Sequence, residues 1–347
     1  MSHEAKPLET GLAWRADDVA DPESWTVRLS AADHRELDGA LAVAKRVSLD
    51  LLEIGRAHFP LDGLAAKLAE AERELIDGRG FVRLSALDVG RYSDDDLTML
   101  YWGIGMHLGD PWPQNKHGHV MGDVTDQGRR PDDPTSRGNE LGQRALNYHT
   151  DGSDLVGLLC LRPAKSGGLS CVANMVAIYN ELVRARPDLV EQLYQEMPWD
   201  FRGGEPPGGK PFYMRPVLTQ HGERLFVRFV PHYIKSSQRH PSAPRLSVRQ
   251  IKALDHVSEM ANRPEFNVYM DLKPGEMQFI NNYHVLHGRT AYEDDIALGH
   301  KRHLKRLWLA TRYLRDRPPG FTRQRHSHWA RNLSISRIEP LTPAPTE

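Results

Sequence analysis

Three times in this sequence a histidine stands two residues ahead of a carboxylate: His34-Arg35-Glu36, His149-Thr150-Asp151 and His221-Gly222-Glu223. On a β-strand, residues two apart project from one face, so such a pair can offer an imidazole nitrogen and a carboxylate oxygen to one metal ion without bending the backbone. With 17 His and 46 acidic residues among 347, about two such triplets are expected by chance, so context has to separate them. The first falls in a stretch with helical spacing, where residues two apart do not share a face. The third surrounds a glycine at a hairpin tip, which suits a solvated turn. The second stands where a long polar segment meets an apolar run, Leu155 to Leu161, and is the candidate ligand pair.

A third ligand must come from elsewhere. Two histidines and one carboxylate on one face of an iron ion leave three positions open for an oxidising cosubstrate and dioxygen. The segment from Asn281 to Arg289 offers His284 and His287. His287 is preferred, because Gly288 lets the backbone turn sharply beside a crowded ion. Further on, Arg302, Leu304, Arg306 and Trp308 would share one face of a strand, with two guanidinium groups pointing the same way. An arginine aimed into an interior requires an anion, and Arg306 can fork onto a carboxylate with two parallel hydrogen bonds. A strand with one solvated side would give the same pattern.

These residues need elements to hold them. Ser30 is placed to cap a helix over 31–46, and a second helix is expected over 61–76, stopped by Asp77-Gly78 ahead of a strand over 80–84. Residues 109–147, crowded with Gly, Pro, Asp, Asn and Arg, read as a long surface loop of the kind that forms lids. Strands are expected over 155–161 and 170–174, then one helix over 176–196 and a hairpin over 216–231 that turns at His221-Gly222-Glu223. Ser247 and Gln250 have the spacing of a capping box for a helix to Glu259. Strands over 277–281 and 303–313 follow.

Bulk composition narrows the function. The 39% hydrophobic and 26% charged residues are those of an ordinary globular protein. No run approaches the roughly 20 apolar residues of a membrane span, and the first ten residues lack the apolar core of a secretory signal. Two cysteines, Cys160 and Cys171, cannot supply a disulfide framework, so a reducing, cytoplasmic setting is expected. A net charge of -1 gives no electrostatic reason to expect nucleic acid or anionic lipid as partner.

In order, His149-Thr150-Asp151, Gly167-Gly168-Leu169-Ser170, Asn281 to Arg289 and Arg302 to Leu309 resemble the motifs of the taurine dioxygenase (TauD/TfdA-like) family of iron(II) and 2-oxoglutarate oxygenases. The likeness runs from about Gly80 to Leu314. It implies a mixed α+β fold with a mainly β core, a double-stranded β-helix or jelly roll of the clavaminate synthase type with flanking helices. It further implies iron(II) on His149, Asp151 and His287, with Arg306 on the distal carboxylate of 2-oxoglutarate, Ser170 assisting it, and Arg302 near the carboxylate at the iron. Residues 1–60 would be an irregular or helical extension and 61–347 a single catalytic domain, with 109–147 as a lid-like loop and 318–347 as a tail. The implied activity consumes 2-oxoglutarate and O2, releases succinate and CO2, and oxidises an unactivated C–H bond, most simply by hydroxylation. The expected partner is a small polar molecule such as an amino acid or other carboxylate, and Trp112, Gln114, Asn115, Asn147 and Tyr148 are expected to wall its pocket. Neither a monomer nor a homo-oligomer is singled out. Two other readings share the ligands or the composition: a zinc hydrolase on the same triad, and a non-catalytic cupin-like module using His117 and His119 or His326 and His328.

Overall fold

The protein is described here from a computed structural model, covering residues 5–115, 118–130, 133, 136, 138, 142–295, 297 and 299–321. Among these residues the helices are α1 (Ala31–Val47), α2 (Gly63–Asp77), α3 (Asp94–Leu108), α4 (Met175–Ala185), α5 (Pro187–Leu193), α6 (Pro231–Ser236) and α7 (Val248–Ala261). The first strands are β1 (Thr26–Val27), β2 (Phe81–Leu84), β3 (Asp110–Pro111), β4 (Met121–Val124), β5 (Leu146–His149), β6 (Leu155–Arg162), β7 (Ser166–Gly167), β8 (Ser170–Asn174) and β9 (Met197–Asp200). The rest are β10 (Phe212–Arg215), β11 (Leu218–His221), β12 (Arg224–Val227), β13 (Asn267–Met270), β14 (Met277–Asn281), β15 (Val285–Arg289), β16 (Tyr292–Glu293) and β17 (His303–Ala310).

Two sheets carry the fold. The larger runs β1-β2-β14-β6-β17-β3, with β4 also paired to β17, and the smaller runs β13-β8-β15-β5. Strand alternation sorts their side chains into layers. Val156, Ile280 and Trp308 of the larger sheet meet Val172, Met270 and Val285 of the smaller one in a shared inner cluster. On the other face of the larger sheet Leu155, Leu159, Phe279, Leu307 and Leu309 join a core with Leu37 of α1, Leu64 and Leu68 of α2 and Leu100 and Ile104 of α3. The outer face of the smaller sheet, through Cys171, Ala173 and Leu286, joins Ile178, Leu189 and Leu254 of α4, α5 and α7. The result is a mixed α and β structure, mainly sheet at its centre, with helices covering both outer faces.

The capping signals hold. The Ser30 and Ser247 hydroxyls accept from Asp33 N and Gln250 N at the starts of α1 and α7, and the hairpin of β11 and β12 turns after His221. Four expectations change. Residues 94–108 form α3, for which no element was expected: every residue from Leu97 to Leu108 is buried, so the helix has no polar stripe to betray its period. The helix expected over 176–196 is two, because Pro187 forces Arg186 out of helical geometry (φ -144°, ψ 58°) and starts α5 anew. The long loop is not all surface, since β3 and β4 lie within it and pair with β17, and Trp112 N donates to Trp308 O at 2.8 Å. Finally, β17 stops at Ala310, because Thr311 turns its N–H to Asp154 Oδ2. No helix of the described residues is long and apolar enough to cross a membrane.

Candidate metal centre

The last residue of β5, His149, lies directly across from His287 of β15 in antiparallel register. Cross-strand partners share a face, and the two imidazole centroids stand 4.3 Å apart. Asp151 follows in the turn after β5. Its Oδ1 lies 3.9 Å from His149 Nε2 and its Oδ2 3.8 Å from His287 Nε2. Two atoms that each ligate one ion at roughly 2.1 Å stand about 3–4 Å apart. The geometry therefore fits a single ion, and this is the one such cluster of His, Cys, Asp and Glu among the described residues.

The protonation states fit as well. His149 Nδ1 faces the carbonyl oxygen of Asn147 at 2.9 Å, so it carries the proton and leaves the Nε2 lone pair toward the cluster. Burial, reinforced by the neighbouring His149, pushes His287 down to about 3, so its imidazole is neutral at physiological pH. Burial would by itself raise the Asp151 carboxyl. The Arg306 guanidinium and the Trp308 N–H nevertheless hold it below the usual carboxylate range. Trp308 Nε1 donates to Asp151 Oδ2 at 2.8 Å, and Arg306 Nη1 lies 3.6 Å from the same oxygen. An Nε2 lone pair turned toward the cluster, a neutral His287 and an ionised carboxylate, in a site largely shielded from water, are what a divalent ion requires.

Gly288 serves differently from expectation. Its φ is not in the left-handed region, but an added Cβ would lie 2.6 Å from Leu146 O and 3.2 Å from Cys171 Sγ. It is the close approach of β5 at the register shift between His287 and Arg289 that demands glycine. His284 precedes β15 and faces away from the cluster, toward a cavity of about 560 Å³ that it shares with Asp77, His221 and Arg224. His221 pairs with Asp316, and His34 lies on α1. Of the other histidine pairs, His119 is buried against Asn115; His117, His326 and His328 lie outside the described residues.

The two arginines occupy different places. Arg306 sits at the cluster, its Nε donating to Gln114 Oε1 at 2.8 Å. Arg302 is buried well away from that contact, its Nη2 donating to Gly168 O at 3.3 Å and its Nη1 without a partner. Burial, then the like charge of Arg289, lowers its pKa to about 10. Tyr292 lies beneath both guanidinium groups, 5.4 Å from Arg302 Cζ and 4.6 Å from Arg289 Cζ. At Gly168 (φ 70°) a Cβ would come within 3.0 Å of Arg302 Nε. Ser170, two residues on, donates to Gln278 Oε1 at 2.6 Å, and Gln278 Nε2 is a buried donor without a partner. A cation and an amide N–H left unpaired in a dry site call for an anion.

The five residues expected to wall the pocket separate. Trp112 is buried in the inner cluster. The Gln114 amide is spent on Arg306 Nε, Arg306 O and Val120 O, and the Asn115 amide on His119. Tyr148 points the other way from His149, as strand alternation requires, and packs with Cys171 on the outer face of the smaller sheet. Asn147 is exposed and offers its carbonyl to His149. What sequence reasoning missed is Trp308 as a partner of Asp151, although it was already on the face of Arg306, and the part of Gln114, expected at the pocket wall, in holding Arg306.

Comparison with known proteins agrees with this geometry. Residues 46–308 match the family model described as "Taurine catabolism dioxygenase TauD, TfdA family". FR-33289 synthase of Streptomyces rubellomurinus is 31% identical over 92% of this chain and 95% of its own length. Among solved structures, asparagine oxygenase in complex with Fe(II), 2S,3S-3-hydroxyasparagine and succinate superposes with a TM-score of 0.61 at 18% identity, over 82% of this chain and 93% of that one. The non-heme iron oxygenase OrfP with Fe and alpha-ketoglutaric acid gives 0.60 at 17% identity, over 86% and 99%. The zinc hydrolase and the non-catalytic module are thereby set aside, and the chain belongs to the TauD/TfdA family of non-haem iron, 2-oxoglutarate-dependent dioxygenases.

Proposed function

We propose that this enzyme hydroxylates an unactivated C–H bond of a small polar substrate, an amino acid or other carboxylate, with iron(II) on His149, Asp151 and His287. The observation that carries the reading is the convergence of those three side chains, their ligand atoms within 4.8 Å of one another, with strands of the two sheets around them. Bound iron(II), with 2-oxoglutarate and dioxygen, supplies an oxidant strong enough for such a bond, and the cosubstrate leaves as succinate and carbon dioxide. The protein's own part is to place charges. Arg302, with its unpartnered Nη1, receives the distal carboxylate of 2-oxoglutarate, while Ser170 and Gln278 complete the cradle. Arg306, held by Gln114, faces the metal end and balances the charge of Asp151 and of a carboxylate bound there. This exchanges the roles that the family resemblance had suggested for the two arginines, because the free buried donor belongs to Arg302. The 3-hydroxyasparagine named in the asparagine oxygenase complex, and the (3S)-hydroxy-L-Arg named in another OrfP complex, support the substrate class.

The test is succinate formation by the full chain with iron(II) and 2-oxoglutarate across a panel of amino acids, other carboxylates and neutral apolar compounds. Asp151→Ala should abolish it while the thermal melt stays within a few degrees. Full activity in that variant would dismiss the ligand set, and turnover of the apolar compounds alone would dismiss the substrate class.

A further inference from the structure

Asp151 is fixed at three points by groups that touch no metal ligand atom except its own carboxylate. Its N–H donates to Asn282 Oδ1 at 2.9 Å, its Oδ2 accepts from Trp308, and its carbonyl accepts from Arg228. The last of these is unusual in its extent. Arg228 Nη1 bonds Asp151 O, and Nη2 bonds Gly152 O at 2.7 Å, while both lie 3.4–3.5 Å from Ser153 O. Three consecutive carbonyls of the ligand loop thus curl around one guanidinium. The next residue extends the seam, for Thr150 N donates to Phe229 O at 2.8 Å and Phe229 N to Thr150 Oγ1 at 2.9 Å.

Arg228 is buried, with 4% exposure, and has no carboxylate partner among the described residues. The nearest acid along the loop, Asp154, is committed to Tyr283, Thr311 and Arg317. The guanidinium instead lies 5.4 Å from the Tyr283 ring and 5.5 Å from that of Phe321. Burying a cation without a counter-ion is costly. Here every side-chain hydrogen bond it makes falls on residues 151–153, so its effect is concentrated on the segment that aims the carboxylate. We infer that Arg228 is a positioning residue of the metal centre, setting the direction of the Asp151 carboxylate through the backbone that follows it. The inference rests on the iron-site reading above.

The test uses Co(II) as the probe ion on the full metal-free chain, in wild type, Arg228→Met, Arg228→Lys and Arg317→Met. Arg317 shares the neighbourhood and the Tyr283 and Asp154 network but bonds none of the three carbonyls. Arg228→Met should weaken Co(II) binding about 10- to 100-fold, the range for residues that orient metal ligands, and alter the visible Co(II) spectrum. Arg228→Lys should recover part of the affinity. Arg317→Met should lower the melting temperature with affinity within about twofold of wild type. Wild-type affinity and spectrum in Arg228→Met would overturn the inference, as would losses in Arg228→Met and Arg317→Met that track the melting temperature alone. Should the methionine variant not fold, the lysine variant carries the same comparison. If wild type binds no Co(II), or His149→Ala binds it equally well, the iron-site reading itself fails.

Discussion

Trp308 and Asp151 join the two sheets of the fold at the metal centre, the indole Nε1 on β17 donating at 2.8 Å to the carboxylate that follows β5. A hydrogen bond to a charged acceptor contributes roughly 1.5–3 kcal/mol. Trp308→Phe keeps the ring and removes the donor. Its iron(II) requirement for succinate formation should rise about tenfold or more, with little change in melting temperature. An unchanged requirement would mean that the bond does not orient the carboxylate.

Arg302 and Arg306 should give different kinetic signatures. Arg302→Met should raise the 2-oxoglutarate requirement by one to two orders of magnitude, roughly the value of a charge-assisted bidentate contact, and leave iron binding alone. Arg306→Met should lower turnover and disturb iron binding too, since its Nη1 lies 3.6 Å from Asp151 Oδ2. Ser170→Ala should resemble a milder Arg302 variant. Steady-state titrations of 2-oxoglutarate and iron(II) on the three variants decide the matter, and the reverse pattern would restore the opposite assignment.

Acid should destabilise the protein partly through His284. Burial, with the Arg224 guanidinium adding to it, lowers this imidazole to about 4, and Asn281 Nδ2 donates to its Nδ1 at 3.2 Å, which fits the neutral ring. A depressed pKa contributes stability that is present above the ordinary value near 6.5 and lost as pH falls toward 4, because the unfolded chain takes up its proton first. In His284→Asn the fall of melting temperature between those pH values should be shallower than in wild type. Parallel curves would show that His284 is not part of the acid response.

Gly288→Ala should separate the two histidine strands. The added methyl meets Leu146 O at 2.6 Å, a backbone atom that cannot swing aside. Overpacking of this kind costs about 1–3 kcal/mol, and the displaced β5 carries His149. Both the melting temperature and Co(II) affinity should drop. Wild-type affinity would place the two strands farther apart than this structure does.

Much of the site was legible because strand parity is a two-residue rule. His149 and Asp151 declared themselves by spacing, and His287 rather than His284 is the one that pairs across from His149, His284 preceding β15 and lining another cavity. The same rule, applied to Tyr148, would have turned it away from the pocket. Other parts had no local signal. The helix α3 is buried on every side, so its sequence lacks the contrast that marks a period. Gln114 and Asn115 look like loop residues because their partners, Arg306 and His119, are fixed by pairing across β17 and by a turn rather than by neighbouring sequence. Arg302 lies just outside β17, beyond a register shift between His303 and Leu304, where alternation no longer dictates direction.

The family likeness begins at residue 46, yet the inner packing begins earlier. Trp14 and Trp25 both rest on Phe81, with centroids 5.3 and 5.6 Å away, and both belong to the cluster that contains Trp308. The indole N–H groups of the pair are tied off on Arg79 O and Val19 O, so neither is a loose end. A fragment trimmed to the matched residues would therefore lack two indoles of the cluster packed between its sheets. The span of the family match is thus shorter than the span that the packing between the two sheets draws on.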